Sequence, residues 1–253
     1  MATLVSGSIF ISFLVFAVFG VILFSMALLF LKMQSVGAIR DPAGVPLGAF
    51  IGTISTAWAL SLGFVAADVW GVNARADTAA SKERSAIHRL LGTAHEQVLD
   101  NATLRQAVEN YRTLVIDGEW GKGNNIVPSP EVDKAILSIR IVVQSIALSN
   151  IPGPIVSQLV NDFDELQDAR NDRLAVANTS IDQYKWYLVL VLTLLSAATV
   201  ATAHADRPRA GRKALLLFSL AASMSLWILA IHSNPYDGVG EVHPALLLSS
   251  QRS

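Results

Sequence analysis

The chain has 253 residues and a formal net charge of −1, with 15% charged and 52% hydrophobic residues. The balanced charge gives no electrostatic case for nucleic-acid binding, and the absence of cysteine excludes disulfides, thiolate catalysis and cysteine-ligated metals. So low a content of charged residues indicates that a lipid bilayer is part of the protein's solvent.

The first predicted membrane span covers residues 9–31, an apolar stretch without a charge. Its length of about 23 residues is sufficient to cross the hydrocarbon core. A cleaved signal peptide is the alternative, but the stretch exceeds the ~7–15-residue apolar core of such peptides and no basic residue precedes it. We therefore interpret it as a retained span, after which a short loop reverses the chain.

The second predicted span covers residues 47–70 and continues into a charged helix without an interrupting proline. Asp68 and Trp70 mark the exit from lipid, because an indole is favoured at headgroup level and a carboxylate is tolerated there. The apolar spacing of three and four residues persists beyond them. We expect one long helix, or two nearly collinear helices, from Leu47 to Leu91.

Residues 71–183 are predicted to form a soluble helical domain. Asp100 or Asn101 is a candidate cap, and Ser129 followed by Pro130 resembles a helix start. The predicted limits are a first helix to about Leu99, a second from Ala102 to about Asp117, a loop from Gly118 to Pro130, a third helix to the break at residues 151–154, and a fourth from about Ile155.

Two further spans are predicted at residues 186–203 and 214–232, followed by a tail of residues 233–253. Tyr184 and Trp186 are expected to anchor the chain at the membrane interface, as is Trp70.

The predicted fold class is therefore an all-α membrane protein with four transmembrane helices. Residues 9–70 and 184–232 form its transmembrane hairpins, and the helical soluble domain is inserted between the second and third spans.

The charges of the loops predict an orientation in the cell (inner) membrane. The N-terminal eight residues carry no lysine or arginine and the tail carries only Arg252. Basic residues of the first and third loops are Lys32, Arg40, Arg207, Arg209, Arg212 and Lys213. The positive-inside bias places these loops in the cytoplasm, and the helical domain on the non-cytoplasmic side. Arg75, Lys82 and Arg84, close to the membrane within the domain, oppose this bias.

A stripe of small residues follows one face of the second span. Its members are Gly48, Gly52, Thr56, Ala59 and Gly63. Such a stripe allows a neighbouring helix to approach closely. One hypothesis is a narrow pore lined by this face from several subunits; the alternative is close packing inside one four-helix bundle.

Two further residues of this span are candidates for a pore. Trp58 lies at mid-span, where it forms either a constriction or a packed aromatic contact. Asp68 either attracts cations or relays protons, or it is hydrated or paired with a residue such as Arg75 or Lys185.

The sequence predicts no enzyme, no metal site and no cofactor. His88 and His95 are seven residues apart, whereas ligands of one metal on a helix are expected about one turn apart. No acid, base and nucleophile set is visible. The expected partners are the lipid bilayer, further copies of the chain and an inorganic ion.

An ordered set of landmark residues covers nearly the whole chain. It comprises Gly52, Leu62-Gly63-Phe64, Trp70, Glu83, Tyr111, Glu119-Trp120, Asp168-Ala169-Arg170, Arg173 and Pro235-Tyr236-Asp237-Gly238. This set resembles the bacterial bestrophin-like family of four-span membrane proteins. The family often has Pro-Phe-x-Gly near its end, where this chain has tyrosine in place of phenylalanine, and Trp58 corresponds to an aromatic that the family often shows.

The resemblance implies distant kinship with bestrophins, which are oligomeric anion channels. In bestrophins the domain between the second and third spans is cytoplasmic, in conflict with the loop charges here. Two functions remain open. The first is an oligomeric ion channel, with anions as the ions that the resemblance implies, and the second is a non-transporting membrane protein whose helical domain binds a partner or scaffolds an assembly.

Overall fold

The computed structural model describes residues 9–35, 47–122, 125–179, 183–237 and 241–248. It is 84% helical, and the described residues contain no strand. The elements are α1 (Ile9–Ser35), α2 (Leu47–Thr93), α3 (Ala102–Leu114), a π-helix (Val115–Lys122), α4 (Pro130–Ala147), α5 (Gly153–Ala177), α6 (Gln183–Ala203), α7 (Pro208–Ile231) and a short 3-10 turn (Pro244–Leu247).

Four of these helices, α1, α2, α6 and α7, are long and apolar enough to cross a membrane. This confirms the all-helical class and the four predicted spans. Helix α2 is continuous over 47 residues, about 70 Å at 1.5 Å per residue. Helix α7 starts at Pro208, before the predicted Ala214, because a proline is well suited to the first helical turn.

The chain forms two compact units. The first contains α1, α2 up to Gly71, and residues 183–233 with α6 and α7. Its core has one cluster around Phe16, Val65 and Val69, and another around Leu23 and Leu215. Helices α1 and α7 approach closely at Gly20, where an added Cβ would lie 2.5 Å from Ser223 Oγ.

The second unit contains the described residues of 72–179 and the described tail residues from Asn234 onward. Its core is a single large cluster, and Tyr236, Val242 and Leu247 from the tail are buried in it. The segment that the sequence suggested as a separate tail thus completes the core of this unit.

Some helix ends in the second unit also differ from the predictions. Helix α2 ends at Thr93 and not at Leu99. Asn101 caps α3, since its Oδ1 accepts a hydrogen bond from the amide of Leu104 at 2.8 Å. The predicted loop from Gly118 begins instead with the π-helix, whose wide turns are uncommon and often found at functional sites.

Candidate functional site

Four of the buried charged side chains of the second unit lie together and pair with one another. Glu83 comes from α2, Glu119 from the π-helix, and Arg170 and Arg173 from α5. We call these four residues the ionic cluster. Its two carboxylates and two guanidinium groups balance in charge, which a buried set requires because an uncompensated charge away from water is very costly.

Arg173 lies at the centre of the ionic cluster and is fully buried. Its Nε donates to Glu83 Oε2 at 2.6 Å, and its Nη2 donates to Glu83 Oε1 at 3.1 Å and to Glu119 Oε2 at 2.8 Å. Its Nη1 donates to the Asn125 side-chain oxygen. One guanidinium therefore joins α2, the π-helix and the segment after it, using the planar donor arrangement that lysine lacks.

Arg170 completes the pairing of the second carboxylate. Its Nη2 lies 2.5 Å from Glu119 Oε1 and 2.7 Å from a carboxylate oxygen of Asp133 at the start of α4. Arg170 and Arg173 reach the same region because residues three apart share a helix face. Glu119 Oε1 also accepts a hydrogen bond from the amide of Ser129 at 3.1 Å.

Aromatic residues surround the ionic cluster. The Tyr111 hydroxyl donates to Glu83 Oε1 at 2.6 Å, and the Trp120 ring centroid is 4.8 Å from the Arg173 guanidinium, a cation–π contact. Trp120 Nε1 donates to the Val242 carbonyl at 3.1 Å. The ring of Tyr236 meets Trp120 edge-on at 5.8 Å, so the tail covers this end of the cluster.

Proton affinities in the cluster follow from burial and pairing. Burial opposes ionisation of Glu119, but hydrogen bonds from Arg170 and the charge of Arg173 outweigh it and lower the pKa of Glu119. Burial likewise opposes the charge of Arg173, yet the Glu83 carboxylate dominates and raises its pKa. Burial, together with Glu83, raises the pKa of Tyr111 well above its ordinary value. The pairing within the cluster thus favours the charged forms of Glu119 and Arg173.

The small-residue stripe lies on the exposed side of α2. Gly52, Thr56, Ala59 and Gly63 are all exposed in the single chain, and nothing lies within 4 Å of a Cβ built on Gly52 or Gly63. Gly48 lies in α2, but its surroundings are outside the described residues. The four described residues of the stripe are therefore not packed against other helices of the same chain.

Trp58 and Asp68 both make contacts within the first unit. Trp58 Nε1 donates to Thr193 Oγ1 at 2.9 Å, and its ring lies 5.5 Å from that of Phe218. Asp68 forms an ion pair with Lys185. In the single chain, Trp58 is a packed aromatic residue and Asp68 is paired with a basic neighbour.

The three expected interface anchors divide into two groups. Trp70 and Tyr184 are exposed, as a side chain in the headgroup layer must be. Trp186 is only 7% exposed and packs in the core around Val69. It therefore stabilises the bundle, because its face of α6 turns toward the other helices.

Among the described residues, no group of three or more histidine, aspartate or glutamate side chains is arranged to hold a metal ion. Most landmark residues from the soluble part of the sequence lie in or directly around the ionic cluster, although nothing in the sequence indicates that they are in contact. They are Glu83, Tyr111, Glu119, Trp120, Arg170, Arg173 and Tyr236. Asn125 and Asp133 also contact the ionic cluster, and no motif in the sequence predicts this role for them.

The fold defines a multi-pass α-helical membrane protein in which a buried ionic cluster joins the helices of one unit. Residues 14–247 match the model of the bestrophin-like domain. The chain belongs to the bestrophin-like family, whose name relates it to anion channels. Comparisons with curated proteins and with solved structures gave no match.

Proposed function

We propose that this protein is a homo-oligomeric ion channel of the cell membrane, conducting anions, with α2 segments from several copies around a central axis. The observation that carries the proposal is the unpaired, small-residue face of α2. In the single chain, only 6% of the residues in the 18-residue apolar stretch of α2 are buried. The corresponding share is 22% for α1 and 44% each for α6 and α7.

The composition of the two faces of α2 supports this assignment. Its buried side carries Val65 and Val69, whereas Gly52, Thr56 and Gly63 face outward. Lipid offers no drive to bury large apolar side chains between helices, so small residues concentrate where helices approach one another. A second copy of α2 is a better neighbour for this face than lipid.

The second unit is proposed to be the water-facing domain, inserted between the second and third spans. Helices α6 and α7 lie in sequence between its two parts, residues 72–179 and the tail. Two parts of one compact unit must lie on the same side of a membrane, so an even number of crossings separates them. The loop charges favour the non-cytoplasmic side.

Cross-linking tests the oligomer. The chain has no cysteine, so Thr56→Cys and Gly63→Cys each introduce a single thiol. Oxidation in the membrane should convert both variants into disulfide-linked dimers. Leu217→Cys is the matched control, because Leu217 is 67% exposed on α7; equal cross-linking of all three variants contradicts the proposed axis.

Gly63→Leu separates assembly from folding. Nothing lies within 4 Å of a Cβ at Gly63, so the single chain should fold with unchanged melting behaviour. The oligomer should dissociate, as measured by size and mass in detergent. A Gly63→Leu protein that keeps its oligomeric mass indicates that α2 is not the interface.

Conduction is tested in planar bilayers with purified protein. A chloride gradient should give currents whose reversal potential follows the anion, and a thiol reagent should reduce the currents of Gly63→Cys but not of Leu217→Cys. A folded oligomer that is silent over varied pH and voltage contradicts the channel.

A non-transporting scaffold is the second candidate, favoured by one observation. Leu137 and Ile141 of α4 are 54% and 58% exposed, and Leu148, the residue directly after the helix, is 83% exposed. Such exposed side chains suit an apolar partner surface. This function is supported if the purified chain is a silent monomer and a stoichiometric protein partner, dependent on Ile141, accompanies it.

A further inference from the structure

Three helix ends meet at one end of the first unit. The turn of residues 204–207 joins α6 to α7. The end of α1 packs against the start of α7, because a Cβ built on Gly211 would lie 3.0 Å from Leu31 Cδ2. The Gln34 side chain donates to Thr202 Oγ1 at 3.2 Å, which ties the end of α1 to the end of α6 as well. Side chains from α1 and from the α6–α7 turn therefore lie on one small surface.

This surface is rich in exposed basic side chains. One comes from the end of α1 and four come from the turn and the start of α7; they are Lys32, Arg207, Arg209, Arg212 and Lys213. Asp206 is the acidic residue of the turn. At the opposite end of the unit, Asp68 and Lys185 pair with each other. Within the described part of the first unit, the excess of positive charge thus lies at the α6–α7 turn.

The four basic side chains of the turn and of α7 form no ion pair with a described residue. Basic side chains of the second unit, by contrast, are mostly paired. Those in ion pairs are Lys82, Arg89, Arg105, Arg112, Arg170 and Arg173. Like charges close together repel one another, so an anionic group bound at the turn would gain from several cations at once.

The depth of the charges in the bilayer indicates which anion is within reach. Residues 214–231 of α7 carry no charge and extend about 27 Å, close to the thickness of about 30 Å of the hydrocarbon core. Arg209, Arg212 and Lys213 directly precede this stretch, and we call these three residues the basic face of α7. Their side chains lie at the level of the lipid phosphates, which long basic side chains reach from helix ends.

The basic face continues as an apolar face. Its members are spaced by three and four residues, and the same spacing leads along one side of α7 to Leu216, Leu217 and Leu220. These leucines are more than half exposed in the single chain. A phospholipid presents the same order, with phosphate at the surface and acyl chains below it. A free phosphate ion would use the charges but not the leucines.

The number of charges favours more than one phosphate. A phosphodiester carries one negative charge, whereas the basic face carries three positive charges within about one helical turn, with neighbours about 6 Å apart. A guanidinium group donates two parallel hydrogen bonds to one phosphate. A headgroup with two phosphates therefore offers a separate acceptor to each arginine of the basic face.

We propose that the α6–α7 turn is a binding site for a phospholipid whose headgroup carries two phosphates, the chemistry of diphosphatidylglycerol. Arg209 and Arg212 donate to the phosphates, Lys213 adds a third positive charge, and the acyl chains lie along the leucines of the apolar face. The site is formed within one chain. It does not depend on the channel proposed above, and either can fail without the other.

Native mass spectrometry of the delipidated full chain in a non-ionic detergent tests the site. The fraction of protein that carries a lipid is followed as the lipid concentration is raised. Diphosphatidylglycerol is compared with phosphatidylglycerol at twice the molar concentration, which supplies equal charge, and with phosphatidylcholine. We expect diphosphatidylglycerol to bind at the lowest concentration. The same headgroup without acyl chains should not displace it.

Variants of the basic face assign the binding. A basic residue near an anionic lipid contributes about fivefold in affinity. The combination of Arg209→Gln, Arg212→Gln and Lys213→Gln should therefore bind diphosphatidylglycerol about 100-fold more weakly. Arg209→Lys with Arg212→Lys keeps the charge but removes the paired donors, so an intermediate loss is expected. Binding in detergent does not depend on the direction in which a variant inserts into the membrane.

A charge-matched control removes three basic residues from the second unit. It combines Lys82→Gln, Arg105→Gln and Lys134→Gln, and it should bind diphosphatidylglycerol like the native chain. Three outcomes overturn the proposal. The first is equal binding of phosphatidylglycerol at equal charge, and the second is equal affinity of the glutamine variant of the basic face and the control. The third is displacement by the headgroup without acyl chains at the concentration at which the intact lipid binds.

Discussion

Replacing Arg173 by methionine tests whether the ionic cluster holds the second unit together. Arg173 makes four side-chain hydrogen bonds, two to Glu83, one to Glu119 and one to Asn125. Arg173→Met leaves Glu83 with the Tyr111 hydroxyl as its remaining side-chain partner among the described residues. The cluster then carries an uncompensated negative charge in a site without solvent.

Removing one partner of a buried ion pair costs about 3–5 kcal/mol, a large part of the roughly 5–15 kcal/mol that stabilises a folded protein. For a unit of this size we expect the melting temperature to fall by about 10–20 °C. The assay is thermal unfolding of the full chain in detergent, followed by far-ultraviolet circular dichroism. Arg105→Met is the control, since Arg105 is 40% exposed and its pairing is worth less than about 1 kcal/mol.

A second substitution separates lost charge from lost packing. In Glu83→Leu with Arg173→Met, both partners are apolar, so the melting temperature should recover toward the native value. The reasoning is refuted if Arg173→Met melts within about 2 °C of Arg105→Met. It is also refuted if the double variant loses the sum of the two single losses, because the residues are then energetically independent.

Three further outcomes are expected for the second unit. The folded-state pKa of Glu119 lies below its ordinary value of 4.5. The ion pair of Glu119 with Arg170 should therefore contribute its full stability above pH 4.5, and this contribution should be lost as the pH falls through the folded-state pKa. Unfolding midpoints measured from about pH 7 to about pH 3 check this expectation, and a flat profile contradicts it. Tyr111→Phe removes the hydroxyl that donates to Glu83 and should lower stability by about 1–3 kcal/mol, measured by the same melts; an unchanged melt shows that the hydroxyl is dispensable. Truncation after Ser233 removes buried tail side chains of the core and should make the second unit sensitive to limited proteolysis; equal protection with and without the tail contradicts its role.

The sequence predicts the four spans because length and apolar composition alone decide them. The π-helix is different, because Gly118 and Gly121 are typical of a loop. The contacts of Glu119 and Trp120 with distant residues hold the segment in its helical path. Arg170 pairs with Glu119 from 51 residues away. Local spacing reveals which residues share a face, but it does not reveal which distant residue that face meets.

The same limit explains why the stripe on α2 left two interpretations open. Periodicity places Gly52 and Gly63 on one face, and only packing decides whether that face turns inward. A comparison of the four spans by hydropathy and by burial shows why the outward direction of this face is informative. Helix α1 is the most apolar of the four spans, so its exposed surface suits lipid; α2 is the least apolar and yet the least buried. A single chain in lipid should show the opposite order, with its least apolar helix most enclosed. The proposed association of several copies through α2 would remove the conflict, because it would transfer the least apolar surface from lipid to protein or to a water-filled axis.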